Sequence, residues 1–217
     1  MAWQTGITHL EDCEDADIAV GLTEVDTGSQ LTLNDNTVVK EGVASMECLW
    51  DGTAAYIQDD PDTADYVLTF WHFFAVTPAW TQRQIVLFRN DVTVSVLRVH
   101  FGHDGATNAI TYKLTGSAAD SSGVMTEGAW YCLSIHFVQN GNSLMTIYAA
   151  DHSVVEELTA ATADSVANDV RVGDVLGASN DASVYFDNLA FGCPDYPHPL
   201  WDVTSDIVIF RRRIEEN

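Results

Sequence analysis

The sequence predicts an all-β protein built as a two-sheet antiparallel β-sandwich. Apolar and polar residues alternate with a period of two in several segments, and turn-forming residues separate these segments. No long amphipathic helix is evident. About ten or more short strands with turns between them are typical of a sandwich. With 217 residues and 47% apolar residues, the chain is long enough for one such domain and a short appendage.

The clearest strand signals lie in the first two thirds of the chain. In Val43–Trp50, alternate residues from Ala44 to Trp50 are apolar, with Ser45 and Glu47 on the other face, and Trp130–Val138 has the same period, so each is predicted to bury one face. Tyr66–Val76 is apolar on both faces, which predicts a central strand that is covered on both sides. Shorter runs predict further strands at Gln84–Arg89, Val92–Val96, Ile110–Leu114, Ser143–Ala149, Val170–Val172 and Val184–Phe191.

Two connections carry local signals. Asn140-Gly141 lies between two predicted strands and indicates a tight hairpin, since this pair suits the turn backbone. Thr159–Val166 is predicted to form one short helical turn at most. In the predicted last strand, alternation places Tyr185, Asp187, Leu189 and Phe191 on one face.

A proline-rich segment ends the strand pattern. Pro194, Pro197 and Pro199 predict a stiff, extended connector. We therefore divide the chain into a sandwich over residues 1–193 and a connector with a basic C-terminal arm over residues 194–217.

The charge is strongly unbalanced, with 32 Asp and Glu against 9 Lys and Arg and a net charge of −23. Such a surface argues against nucleic-acid binding, which needs cationic surface. An acid-rich, lysine-poor surface is typical of halophilic proteins, and an ordinary acidic surface from a mesophile is the alternative.

The N-terminal residues have no basic start and no apolar run, so no signal peptide is expected, and no segment has the length of a membrane helix.

The four cysteines are scattered along the sequence. Cys48 and Cys132 lie in strand patterns and are expected to be buried thiols, whereas Cys13 and Cys193 would meet only if the first and last strands pair.

Short motifs at Val39–Ser45 (VKEGVAS), Glu127–Leu133 (EGAWYCL) and Val184–Gly192 (VYFDNLAFG) resemble concanavalin A-like, or laminin G-like, jelly-roll domains. An acidic pair, Glu11-Asp12, matches their usual opening. The resemblance implies a jelly-roll sandwich over about residues 7–192. Such domains are common in the head, tail and fibre proteins of tailed viruses.

The same resemblance implies a structural calcium ion, which needs several oxygen ligands. The candidate ligands are Glu11, Asp12, Glu41 and Asp187. The alternative is that Asp187 caps a neighbouring loop through backbone N–H groups.

Saccharide binding is a second possibility, because aromatic rings stack on sugar faces. Trp71, Trp80 and Tyr112 are the candidates, and core packing of each ring is the alternative. His100 and His103 would point to opposite faces of a strand, so they are interpreted as loop or surface histidines rather than as metal ligands. His72 and His136 lie in strand patterns.

No catalytic motif is evident. The paired carboxylates of glycoside hydrolases with this fold, in the order Glu-x-Asp-x-x-Glu, do not occur, and neither does a Gly-x-Ser-x-Gly elbow. The sequence therefore predicts a non-enzymatic protein.

A run of three arginines, Arg211, Arg212 and Arg213, holds a third of the positive charge. We interpret it as a docking site for acidic partner subunits, with a solvated edge strand as the alternative.

Together, the predicted sandwich, the missing signal peptide and catalytic motifs, and the basic arm favour a structural protein of a tailed-virus particle. It would belong to head decoration, a turret, a tail or a fibre, oligomerise and contact other virion subunits. The alternative is a carbohydrate-binding, lectin-like module.

Overall fold

The computed structural model describes residues 8–26, 28–40, 42–74, 80–91, 94–104, 109–177 and 179–192. This part of the chain contains sixteen β-strands and no helix. The strands are β1 (His9–Glu11), β2 (Thr23–Asp26), β3 (Leu31–Asp35), β4 (Ser45–Asp51), β5 (Ala55–Asp59), β6 (Asp65–Phe74), β7 (Trp80–Asn90), β8 (Val94–Asp104), β9 (Ala109–Thr115), β10 (Ala119–Ser121), β11 (Met125–Thr126), β12 (Trp130–Val138), β13 (Asn142–Tyr148), β14 (Val154–Ala161), β15 (Asp169–Asp174) and β16 (Ser179–Phe191).

The strands form two eight-stranded sheets. Sheet A has the order β14-β13-β12-β6-β16-β4-β3, with β1 paired to β16. Sheet B has the order β10-β9-β8-β7-β15-β5-β2, with β11 paired to β9. The strand pairs of both sheets are antiparallel, which confirms the predicted all-β sandwich.

The inward faces of the two sheets pack together as one large apolar core. Leu133, Ile135 and Phe137 of β12 are fully buried in it, as the alternation of this strand predicts. Phe137 stacks on Phe88 of sheet B with a ring-centroid separation of 5.6 Å, so side chains of the two sheets interdigitate.

Strand β6 is covered on both faces. Leu68 and Phe70 pack in the core between the sheets, whereas Trp71 belongs to a smaller cluster on the outward face of sheet A. That cluster also contains Cys132, Tyr148 and Ala190. Both thiols predicted to be buried, Cys48 and Cys132, have no exposed surface.

The predicted face pattern of the last strand is wrong. The pairing of β16 with β6 shifts between Asp187 and Ala190, and Asn188 has a positive φ of 48°. This β-bulge adds a residue and exchanges the two faces beyond it. Leu189 and Phe191 therefore point into the core, while Asp187 lies beside Trp71 on the outward face of sheet A.

Thr159–Val166, where at most one short helical turn was expected, contains no helix. Residues up to Ala161 belong to β14, which pairs with β13 and forms one edge of sheet A. Edge strands bury only part of one face, so their alternation is weak: Val154 and Val155 are both exposed, and only Leu158 and Ala160 are buried.

The C-terminal arm and Cys193 lie outside the described residues, as do Glu41 and Arg211 to Arg213. In the portion of the chain that is described, no helix has the length and apolar character needed to cross a membrane.

Candidate functional site

The first predicted calcium ligand, Glu11, is buried and holds the loop that follows β1. Its Oε1 accepts a hydrogen bond from the backbone N–H of Cys13 at 2.9 Å, and its Oε2 accepts one from Ala19 at 2.7 Å. Burial raises the pKa of this carboxyl group. The observed role of Glu11 is therefore to order the loop backbone.

Asp12 and Asp187 also accept backbone hydrogen bonds. Asp12 Oδ1 accepts from the N–H of Glu14 at 3.3 Å, and Asp187 Oδ2 accepts from the N–H of Lys40 at 3.1 Å. The second contact ties the last strand to the segment before β4, as the loop-capping alternative expects.

These carboxylates converge on one thiol. Burial raises the pKa of Cys13 well above its usual value, and the charges of Glu11, Asp187 and Asp12 raise it further. The described residues nevertheless contain no group of three or more His, Cys, Asp or Glu side chains arranged to hold a metal ion. With Glu41 outside the described residues, the calcium site remains a prediction.

The predicted stacking surface is not formed by Trp71 or Tyr112, because both rings have no exposed surface. Trp71 packs under Lys40, whose Nζ lies 4.2 Å from the ring centroid, and beside the His152 ring at 5.9 Å. Tyr112 lies in the core, where its hydroxyl bonds His72. The side chain of Trp80 lies outside the described residues.

A cleft of about 600 Å³ opens beside β1 and β5, and its polar groups pair with one another. The Tyr66 hydroxyl donates to Asp59 Oδ2, and Nε2 of His9 lies 3.7 Å from the other oxygen of Asp59. Asp65 bonds His136 at 2.8 Å. These contacts indicate that the polar side chains of the cleft bond one another and stabilise the fold.

The outward face of sheet B carries a different arrangement. His100 of β8 is the register partner of Gln84 on β7 and of Lys113 on β9, and Arg98 of β8 is the partner of Thr115. Their neighbours Val99, Phe101, Tyr112 and Leu114 are buried in the core, so these five side chains point outward. We call Gln84, Arg98, His100, Lys113 and Thr115 the β7–β9 patch.

Three polar atoms of the β7–β9 patch are buried without a hydrogen-bond partner among the described residues. They are Gln84 Nε2, His100 Nδ1 and Thr115 Oγ1. Gln84 is only 6% exposed. Buried polar groups are nearly always hydrogen-bonded in folded proteins. Three neighbouring exceptions on one outward face make it the candidate binding site, where a ligand would reach these buried atoms once the side chains that cover them move.

Positive charge is concentrated on the same three strands. Strands β7, β8 and β9 contain four cations, Arg83, Arg89, Arg98 and Lys113, against one acid, Asp104, which gives a net +3 in a chain of −23. The pKa of His100 is lowered to about 4, first by burial and then by the charges of Arg98 and Lys113. His100 is therefore neutral at pH 7, and its neighbours create a local positive potential.

Asp169 of the adjoining strand β15 pairs with one arginine of β7 and one of β15. Arg89 Nε donates to Asp169 Oδ2 at 2.9 Å, and Arg171 Nη2 donates to the same oxygen at 3.2 Å. The guanidinium of Arg171 also lies 4.5 Å from the Tyr56 ring centroid. Asp169 thus neutralises part of this neighbouring charge, whereas no carboxylate of the described residues forms an ion pair with Arg98 or Lys113.

Sequence reasoning placed His100 on the surface but did not group it with Arg98 and Lys113. The available signal was the alternation of Arg98 and His100 with apolar residues, repeated at Lys113 and Thr115. What the sequence lacked was the register that makes these residues neighbours.

No protein-family model and no curated protein sequence matches the chain. Several solved structures match the chain in fold. The receptor-binding domain of botulinum neurotoxin type G matches with a TM-score of 0.60 and 13% identity, over 87% of this chain and 48% of that one. The chain thus spans about half the length of that neurotoxin domain.

Two smaller proteins match over nearly their whole length. The CBM2 module of the evolved Dit of Lactobacillus casei BL23 phage J-1 matches with a TM-score of 0.55 and 14% identity, over 88% of this chain and 97% of that one. The cellulose-induced protein Cip1 matches with a TM-score of 0.54 and 13% identity, over 85% and 90%. Such low identities establish the fold alone: the chain is a β-sandwich of the architecture that these binding and carbohydrate-related domains share.

Proposed function

We propose that the chain is a non-enzymatic binding domain of a tailed-virus particle and that it binds a saccharide through the β7–β9 patch. The observation that carries the proposal is the set of three buried polar atoms without partners, Gln84 Nε2, His100 Nδ1 and Thr115 Oγ1. Saccharide hydroxyls both donate and accept hydrogen bonds, so they suit a mixed set of amide, imidazole and hydroxyl groups.

The place in a virus particle rests on the fold and on the sequence. One solved neighbour is a module of a phage Dit, and another is a receptor-binding domain. Fold likeness is an analogy and not a demonstration of role. The sequence adds the absence of catalytic motifs and the run Arg211 to Arg213, which would dock the acidic body to other subunits. A calcium ion held by Glu11, Asp12, Glu41 and Asp187 would be structural in this role.

Saccharide binding is tested with the full chain on a panel of neutral and charged polysaccharides, by affinity electrophoresis at several salt concentrations. We expect retardation by at least one polysaccharide, lost in His100→Leu and in Thr115→Val. Trp71→Phe is the matched control, because Trp71 lies on the outward face of the opposite sheet. Retardation by none of the polysaccharides would overturn the saccharide proposal.

The place in a particle is tested by deleting residues 200–217. We expect the truncated chain to keep its sandwich, measured by circular dichroism, and to be left out of the assembled particle. Normal incorporation would contradict docking through the arm.

The absence of enzymatic activity is tested separately. Incubation with alginate should release no unsaturated product, since the chain is proposed to be non-enzymatic.

A further inference from the structure

We propose that the ligand of the β7–β9 patch is an anionic saccharide whose carboxylate or sulfate group binds between Arg98 and Lys113. This inference rests on the proposed function and specifies its ligand class. It starts from a contrast within the molecule: the chain has a net charge of −23, yet strands β7, β8 and β9 carry four cations and one acid, and of these cations Arg89 pairs with Asp169 of β15. A neutral sugar would not require this concentration of charge.

The cations are placed to act on one group. Arg98 is the register partner of Thr115, and Lys113 is the partner of His100, which follows Arg98 by two residues on β8. Diagonal neighbours on one face of an antiparallel pair lie about 7 Å apart, within reach of long side chains. An anionic group between Arg98 and Lys113 would therefore contact both.

Neutral donors surround the same position. The unpartnered Nε2 of Gln84 and Oγ1 of Thr115 can each donate a hydrogen bond. Bonds from neutral or charged donors to an ionised oxygen are about twice as strong as bonds between neutral groups. An anion bound beside these side chains would balance the charge of Arg98 and Lys113, and it would accept hydrogen bonds from the buried donors once the side chains that cover them move.

The ionisation of His100 points the same way. Burial is the main cause of its lowered pKa, and the charges of Arg98 and Lys113 lower it further, so both cations lie close enough to act on the centre of the β7–β9 patch. Nearby Arg89 and Arg171 already share Asp169, whereas no carboxylate of the described residues forms an ion pair with Arg98 or Lys113.

The charge pattern favours a saccharide over a nucleic acid. A duplex presents one phosphate charge per about 1.7 Å and is bound by an extended cationic surface. Here the cationic strands adjoin a body that carries −26, the difference between −23 for the chain and +3 for β7 to β9. A polymer with sparser charges can engage the patch while keeping its remaining length away from that body.

The experiment compares matched ligands. The full chain is titrated calorimetrically with polygalacturonate and its methyl-esterified form, and with dextran sulfate and dextran, so that carboxylate and sulfate are tested separately against neutral counterparts. Duplex DNA is included. We expect one charged polymer to bind, its neutral counterpart to bind on the order of tenfold more weakly or not at all, and affinity to fall as salt rises.

Variants locate the site. Arg98→Gln and Lys113→Gln should each weaken binding on the order of tenfold. Lys40→Gln should leave it unchanged; Lys40 is the chain's other lysine, and it lies over Trp71 on the opposite sheet. Thermal unfolding of each variant controls for folding.

The outcomes separate the two proposals. Equal binding of charged and neutral polymers that is lost in His100→Leu would overturn the anionic ligand and leave saccharide binding standing. Failure to bind any saccharide would overturn both. DNA binding as tight as that of the acidic polymers would replace the saccharide by a nucleic acid, and unchanged binding in Arg98→Gln and Lys113→Gln would remove the site from the β7–β9 patch.

Discussion

Nδ1 of His72 lies 2.7 Å from the hydroxyl oxygen of Tyr112, and this hydrogen bond joins the two sheets inside the apolar core. His72 belongs to β6 of sheet A and Tyr112 to β9 of sheet B, and neither side chain is exposed. Nε2 of His72 has no partner among the described residues. Burial lowers the pKa of His72 to about 3, so the folded protein holds a neutral imidazole at neutral pH.

His72 should make the fold sensitive to acid. Between the folded pKa of about 3 and the unfolded value of 6.5, the unfolded chain holds a proton that the folded chain lacks. The free energy of unfolding therefore falls as the pH is lowered from 6.5 towards 3, by up to about 1.4 kcal/mol per pH unit from this residue. Urea unfolding at several pH values, compared between the wild type and His72→Phe, should show a smaller slope in the variant. The same pH dependence of the free energy of unfolding in the wild type and in His72→Phe would show that His72 does not cause the acid sensitivity.

Removing only one partner of the core hydrogen bond should be costly. Tyr112→Phe leaves both imidazole nitrogens of His72 buried without a bond, so we expect a loss of about 1–3 kcal/mol in the free energy of unfolding. Combining Tyr112→Phe with His72→Phe removes both polar groups, so the double variant should lose less than the sum of the single losses. Tyr185→Phe is the control, since the Tyr185 hydroxyl lies outside the core between the sheets and bonds Glu47 at 3.3 Å. If the losses of the two single variants simply add in the double variant, His72 and Tyr112 do not stabilise the fold through a shared hydrogen bond.

Glu11→Gln should loosen the loop that follows β1. Glutamine has one acceptor oxygen where Glu11 uses two, so its amide group would face the N–H of Cys13 or of Ala19. We expect a loss of about 1–3 kcal/mol and faster amide exchange at one of these two N–H groups, measured by NMR. Asp15→Asn, at an exposed position of the same loop, should have little effect. Unchanged exchange at both positions would show that Glu11 does not hold the loop.

Trp71→Ala should destabilise the fold without acting on saccharide binding. Removing this fully buried ring leaves a cavity beside Cys132 and Tyr148, which typically costs about 3–5 kcal/mol, and Trp71→Phe should cost less. Binding to the polysaccharide panel should be the same for Trp71→Phe and the wild type at a temperature where both are folded. Weaker binding by the folded variant would restore the predicted role of Trp71 in stacking.

Local patterns were sufficient for much of the fold. The bounds predicted for β12 from alternation, Trp130–Val138, agree with the structure, and the Asn140-Gly141 signal marks the connection from β12 to β13. The apolar run Tyr66–Val76 identified β6 as a strand covered on both faces. Each of these features depends on residues that are close in the sequence, where side-chain period and turn preference act directly.

The errors have physical causes that a pattern does not display. The bulge at Asn188 moves Leu189 and Phe191 to the core face, because one added residue exchanges the faces of a strand. Trp71 was a candidate for stacking on a sugar although its strand was predicted to be covered on both faces. It is buried since the segment around Lys40 folds over the outward face of sheet A.

The amino-acid order alone determined the class of fold, the strand positions with strong alternation, and the scarcity of positive charge. Tertiary structure decided where that charge acts. Arg98 and Lys113 are fifteen positions apart in the chain and become diagonal neighbours only through the register of β8 with β9, while Gln84 joins them through β7. Strand register depends on the whole core and on turn geometry rather than on any local period, so the β7–β9 patch exists only in the folded chain.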